Sequence, residues 1–175
     1  MSTPLARLHA AVRESGTPLA ATLADAPDSG DGPDRAVRAG AGPRAAANRD
    51  AIEVAVAAVD EGYQLHYGRP RALRIDSDDL TLLAGDRMYA LGLARLATIG
   101  DMTAIAELAD VISLGAQAHA SQDPQLADAA WEAGVSAIAA GTTAQISAAK
   151  RRARTGDRAA TQALREAARR HPGRR

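Results

Sequence analysis

The side chains whose setting invites a metal-binding or proton-transfer reading cluster between residues 60 and 86 of this chain. Asp60 and Glu61 sit together inside an apolar run, and His66 follows them closely. Asp76, Asp78 and Asp79 crowd the stretch DSDD. Asp86 interrupts LLAGDRMYAL, residues 82–91. Three carboxylates at a helix start read best as a cap with a complement to the helix dipole, not as a metal cluster. Asp60-Glu61 lacks a second carboxylate set, so cation binding there is the lesser reading. His66 and His119 read as lightly packed or surface residues at helix ends. Asp86 shares a helix side with Leu82, Tyr89, Leu93 and Ala97, so its carboxylate needs a donor. Arg69, Arg71 and Arg74 are the candidates. Gly85 lets a neighbouring backbone approach, at about 1 kcal/mol of helix propensity relative to Ala.

Helices must position these groups, because no strand-like alternation occurs anywhere. Residues 4–24 predict one or two short helical turns, broken at Gly16 and Pro18. Residues 25–43 are dense in Asp, Gly, Pro and Ser and predict a flexible linker. A helix is expected over 44–67, with Ile52, Val56 and Val59 as one buried stripe. After a break at Gly68 and Pro70, a second helix begins at a cap on Asp76 or Ser77 and stops at Gly100. Asp101 caps a third, where Met102, Ile105, Leu108, Ala109, Ile112 and Ala116 predict the buried face. Asp123-Pro124 opens a fourth, carrying Leu126, Ala130 and Val135 and ending at Gly141. Residues 142–175 are helical by propensity but polar and Arg-rich, and predict a partly ordered tail.

Composition narrows the function classes. The 175 residues suit one domain with appendages. With no Cys and no Phe, and 2% aromatic residues, the core must come from Leu, Ile, Val and Ala on closely spaced helices. Disulfides and thiolate metal sites are excluded. Arg7, His9, Arg13 and Glu14 break any signal-peptide-like run, and no apolar segment reaches the roughly 20 residues of a membrane span. A soluble, cytoplasmic protein is expected. Trp131 reads as a core residue, with a subunit-interface anchor as the alternative.

A net charge of zero hides an asymmetry. From Lys150 onward, ten Lys or Arg residues face only Asp157 and Glu166, whereas residues 1–149 hold eleven basic and nineteen acidic side chains. Lys150, Arg151, Arg152 and Arg154 are therefore candidates for binding an anionic partner, either nucleic acid or an anionic membrane surface. Contact between the tail and the acidic body is the other outcome. No aromatic residue interleaves with the arginines, which weakens the nucleic-acid reading.

Two stretches carry a family likeness. LLAGDRMYALGLARLATIGD resembles the Leu-Ala-Gly-Asp helix of trans-type polyprenyl diphosphate synthases, through Leu83, Ala84, Gly85 and Asp86. YGRPRA, residues 67–72, is similar to that family's Arg-Arg-Gly-x-Pro segment through Gly68 and Pro70, eighteen residues before Asp86 as is usual there. Ala51-Ile52-Glu53 resembles the start of the helix leading to the first aspartate-rich motif. The likeness spans roughly residues 45–140. It implies an all-α bundle of the isoprenoid-synthase type, present in part, between a flexible N-terminal arm (1–43) and a basic tail (142–175), with the core at 44–141. The family extends an allylic diphosphate with isopentenyl diphosphate.

The departures bear on activity. In register with the family, its leading aspartates fall on Ala57 and Ala58, its third on Glu61, and its diphosphate-holding arginines on His66 and Tyr67. Ionising an allylic diphosphate requires Mg²⁺ bridged between carboxylates and phosphate, and alanine cannot ligate it. No later aspartate-rich motif follows. The resemblance thus implies no catalytic residues, no cofactor and no metal site in this chain, with Mg²⁺ only where a catalytic partner supplies it. Some long-chain synthases pair a catalytic subunit with a short, motif-poor helical one that influences product length. A role as such an accessory subunit is expected, bound to a catalytic synthase or to itself, with Tyr89, Leu93 and Trp131 as possible interface residues. Nucleic-acid or membrane binding through the tail is the alternative.

Overall fold

A computed structural model describes residues 2–27 and 34–170. Those residues hold eight α-helices: α1 (Pro4–Glu14), α2 (Arg35–Gly40), α3 (Arg49–Tyr67), α4 (Asp78–Thr98), α5 (Met102–Ala120), α6 (Pro124–Ala140), α7 (Ala144–Arg154) and α8 (Ala160–Arg169). No strand occurs among them; Leu23 and Leu73 form one isolated antiparallel bridge. The all-α class expected from composition holds. No described helix is long and apolar enough to cross a membrane.

Local chemistry accounts for where the helices start. Thr3, Asp34, Ser77, Asp101, Asp123 and Thr143 each accept a hydrogen bond from the backbone N–H three residues on, satisfying an amide that the helix leaves open. Gly100 and Gly141 follow α4 and α6 at φ +71° and +104°, where a side chain would be strained.

The axis of the molecule is α3, on which every residue from Ile52 to Tyr63 is buried. α4 runs antiparallel along it, since Gly62 meets Gly85 while Ala55 meets Gly92. α5 and α6 fold back on each other, α2 and α8 pack on α6, and α7 pairs with α8. A Cβ at Gly92 would lie 2.6 Å from the Ala55 carbonyl oxygen, and one at Gly62 would lie 2.7 Å from the Tyr89 ring. Glycine therefore sets the α3–α4 spacing, which is how a core without Phe closes on itself.

Three expectations are corrected. The N-terminal arm is not a flexible linker where it is described. α1 is one continuous helix burying Leu5, Leu8 and Val12, and Asp34 caps α2, which buries Ala36, Ala39 and Gly40. Residues 28–33 of the predicted linker lie outside the described residues. The tail is helical as expected, through α7 and α8, but packed where a partly ordered segment was expected, with Ile146, Ala149, Ala153, Ala160 and Leu164 buried; residues 171–175 lie outside the described residues. On α5 the buried face is rotated from the predicted stripe: Ala104, Glu107, Leu108, Val111, Leu114, Gly115 and Ala118 face inward, while Met102 is exposed. The apolar periodicity points to a different face because the buried one contains a charge, Glu107, whose partner Lys150 lies on α7.

Candidate functional site

Every tyrosine and the tryptophan of the chain gather around the C-terminal half of α3, with two histidines. The Tyr63 ring sits 5.8 Å from Trp131 in an edge-on arrangement, and its hydroxyl shares a hydrogen bond of 2.8 Å with His119 Nε2. Tyr67 stacks on His119 at 4.0 Å, and His66 stacks on Tyr89 at 5.2 Å. Both histidines are therefore half-buried and engaged, where sequence reasoning put them at a lightly packed or solvated surface. Burial pushes the Tyr63 and Tyr89 hydroxyls above the ordinary tyrosine range, so both stay protonated.

Beside this cluster lies a buried charge network. Asp60 accepts from Arg35 at 2.6 Å and from Arg71 at 2.5 Å. Arg35 also lies over the Trp131 ring, 4.4 Å from its centroid. Glu61 is fully buried, and its Oε1 accepts the backbone N–H groups of Arg71, Ala72 and Leu73 at 2.7 to 3.1 Å. Its carboxyl titrates above the ordinary value because desolvation outweighs those amides. Glu61 thus ties the 68–77 connection to α3, and it spends its oxygens on the fold. Ala57 and Ala58 are packed in the core. The three positions that the family likeness aligns with metal ligands are, in this chain, structural.

The LLAGD stretch behaves differently. Ala84 and Gly85 are buried against α3, and a Cβ at Gly85 would meet His66 Nε2 at 2.6 Å. Gly85 does allow the close approach expected of it. Asp86 is not buried, however. Its side chain is 72% exposed, and it pairs with His66 Nε2 at 3.2 Å instead of Arg69, Arg71 or Arg74. Arg71 is held by Asp60, Arg74 turns onto the carbonyls of Pro70 and Leu73, and the Arg69 backbone N–H donates to Gln64. Leu82 and Leu83 lie beside Asp86 on the outside, at 49% and 64% exposure. Tyr89 and Leu93 are half-buried on the flank of α4, and Trp131 is a buried core residue beneath the Arg35 guanidinium. Gly68 and Pro70 occupy the loop, with Gly68 closing α3.

In the basic tail, Lys150 is the chain's single lysine and is buried. Its ammonium contacts Glu107 and lies 3.0 Å from Asp110, while Arg154 pairs with Asp110 and Arg152 with Asp157. Of the four tail residues expected to bind an external anion, only Arg151 is exposed without an ion pair. Contact between tail and body was the outcome. Neither partner of Lys150–Glu107 was legible alone; a lone lysine among arginines was the available signal. DSDD acts as a helix start, with Ser77 as the cap and Asp76, Asp78 and Asp79 exposed. Among the described residues no group of three or more His, Asp or Glu is arranged to hold a metal ion. Comparison of the chain with protein-family models, with curated proteins and with solved structures gave no match.

Proposed function

We propose that this chain is a non-catalytic, polyprenyl-synthase-like accessory subunit that packs through α4 against a catalytic prenyl diphosphate synthase. The observation that supports it is the mismatch between α4's composition and its cover. A helix apolar around its circumference is normally enclosed on all sides. α4 buries Met88 and Leu96 on its covered side and still carries leucines among the charges of its open side, yet α3 covers one side and α5 touches it only lightly. Leu80, Leu82 and Leu83, in the first turns of α4, are left 58%, 49% and 64% exposed. Exposed leucines that share a helix face, as Leu80 and Leu83 do at i and i+3, mark association surfaces. A groove of about 450 Å³, lined by Ala11, Ala51, Leu91, Ala94, Arg95, Thr98 and Ile99, extends the face toward α1.

The mechanism on this reading is steric. The added helical wall changes how long a growing prenyl chain fits within the partner's cavity, and Mg²⁺ and the reacting carboxylates belong to that partner. Co-purification from native lysate, repeated with Leu83→Arg, tests it. The expected result is retention of a synthase carrying both aspartate-rich motifs, lost in the variant, with product length shifted when the pair is reconstituted. A reconstituted synthase whose product length ignores this chain refutes the reading. The tail-binding alternative is weakened because Lys150, Arg152 and Arg154 already pair with carboxylates of the same chain.

A further inference from the structure

A second surface, remote from α4 in sequence, has the makings of a small-molecule site. A cleft of about 350 Å³ opens between α2, α6 and α8, lined by Arg35, Arg38, Asp128, Trp131, Glu132, Val135 and Arg165. Its volume lies within the range of small-ligand sites, which starts near 300 Å³. Asp128, Trp131, Glu132 and Val135 follow one another at helical spacing along α6, so the floor is a single row with carboxylates flanking the indole. The guanidiniums stand on the walls, Arg35 and Arg38 on α2 and Arg165 on α8.

What distinguishes this cleft from an ordinary charged surface is how little of its charge is used. Arg35 is committed to Asp60 and lies on Trp131. Arg38 and Glu132 make no ion pair or hydrogen bond among the described residues, though both are half-buried. Arg165 has only a 3.5 Å contact to the Gln125 carbonyl, and Asp128 only a 3.9 Å approach from Arg35. One guanidinium and one carboxylate, Arg38 and Glu132, therefore face the opening unpaired, with Arg165 and Asp128 beside them only loosely held. A simple anion entering it would meet Asp128 and Glu132, and a simple cation would meet Arg38 and Arg165; like charges at close range suppress both. A ligand carrying both signs satisfies both sets, with its oxyanion taken by the guanidinium forks.

We infer that the α2–α6–α8 cleft binds a small zwitterion, an oxyanion and an ammonium a few ångströms apart, with Arg38 and Arg165 on the oxyanion and Asp128 and Glu132 on the ammonium. This chemistry occurs in free amino phosphates and in the head group of an aminophospholipid. The inference is independent of association through α4.

Trp131 is the only tryptophan and lies at the floor of the cleft under Arg35, so its fluorescence is a probe of events there. The full-length chain is titrated with O-phosphoethanolamine, inorganic phosphate and ethanolamine at matched ionic strength. Vesicles of phosphatidylethanolamine are compared with vesicles of phosphatidylcholine. A saturable change with O-phosphoethanolamine, at least tenfold tighter than either half-molecule, is expected; a response confined to phosphatidylethanolamine vesicles supports the same site with a lipid source. Arg38→Ala and Glu132→Gln should each weaken binding tenfold or more, with helix content by circular dichroism confirming that they fold. No saturable change with any probe overturns the inference. So does inorganic phosphate binding as tightly as the zwitterion, or folded variants binding like the wild type.

Discussion

α3 and α4 share one seam but live in opposite environments. α3 is enclosed nearly all round and yet carries Glu53, Asp60 and Glu61 inside, with Arg7 on Glu53, Arg35 and Arg71 on Asp60, and backbone N–H groups on Glu61. α4 is covered on one side only and leaves Leu80, Leu82 and Leu83 in water among its exposed charges. Burial and hydrophobicity have thus parted company on neighbouring helices. A buried charge is tolerated where the fold supplies partners, and an exposed leucine is informative only where several adjoin. The contrast separates residues that hold the fold from residues free to meet something else.

The strongest way to break the α3 side is to remove Glu61. Glu61→Ala leaves three backbone N–H groups without an acceptor in a dry interior and opens a void. The expected loss is about 3–5 kcal/mol in urea unfolding. Glu61→Gln keeps Oε1 for those amides and should cost far less. It also removes a titration. Because burial raises the folded carboxyl above the ordinary value of 4.5, the stability tied to its protonated form is complete below about 4.5 and is lost as pH rises through the folded value. Wild type should therefore lose stability relative to Glu61→Gln on going from pH 4 to pH 8. A gap that does not change with pH contradicts the assignment.

Next in size is Lys150, the tail's counterpart of Glu61. Lys150→Ala strands Glu107 without its cation, although Thr142 still donates to the other oxygen at 2.6 Å. A loss of about 3 kcal/mol is expected, and the paired change Lys150→Met with Glu107→Leu should recover most of it. If Lys150→Ala melts with the wild type, α7 is not held by this pair.

The seam itself comes third. A Cβ at Gly92 would reach 2.6 Å from the Ala55 carbonyl oxygen and 2.8 Å from Val59. Backbone cannot yield there as a flexible side chain could, so Gly92→Ala should cost about 1–3 kcal/mol by overpacking, despite the better helix propensity of Ala. Thermal unfolding settles the sign.

These positions differ in how far the sequence alone could have revealed them. Helix starts were legible because capping is local: Asp101 and Asp123 declare themselves by type and neighbour. Gly85 was legible as a close contact, since little else justifies glycine within a helix. Asp86 was misplaced because Leu82, Tyr89 and Leu93 made its side look buried, and only the position of α3 decides which side of α4 is covered. Glu107 and Lys150 lie 43 residues apart, and Arg35 and Asp60 lie 25 apart. Such pairs become visible only once the helices are packed. The candidate cleft was illegible for the same reason, being assembled from three helices whose charged residues each look like ordinary surface. The arm and tail were underestimated because short Ala-rich helices bury too little individually to announce themselves.

The smallest expected effect on stability falls on α4's outer face, and that smallness is the point. Leu83→Ser removes a leucine that already sits 64% in water, so unfolding should move by no more than about 0.5 kcal/mol. Asp86→Asn, at an exposed pair with His66, belongs to the same class. If α4 is a surface kept apolar for a partner, Leu83→Ser should leave the fold intact and abolish association, reversing the order of effects expected on α3. A Leu83→Ser protein that loses several kcal/mol would mean that the leucine supports the fold, and the distinction between the two helices would fail at its sharpest position.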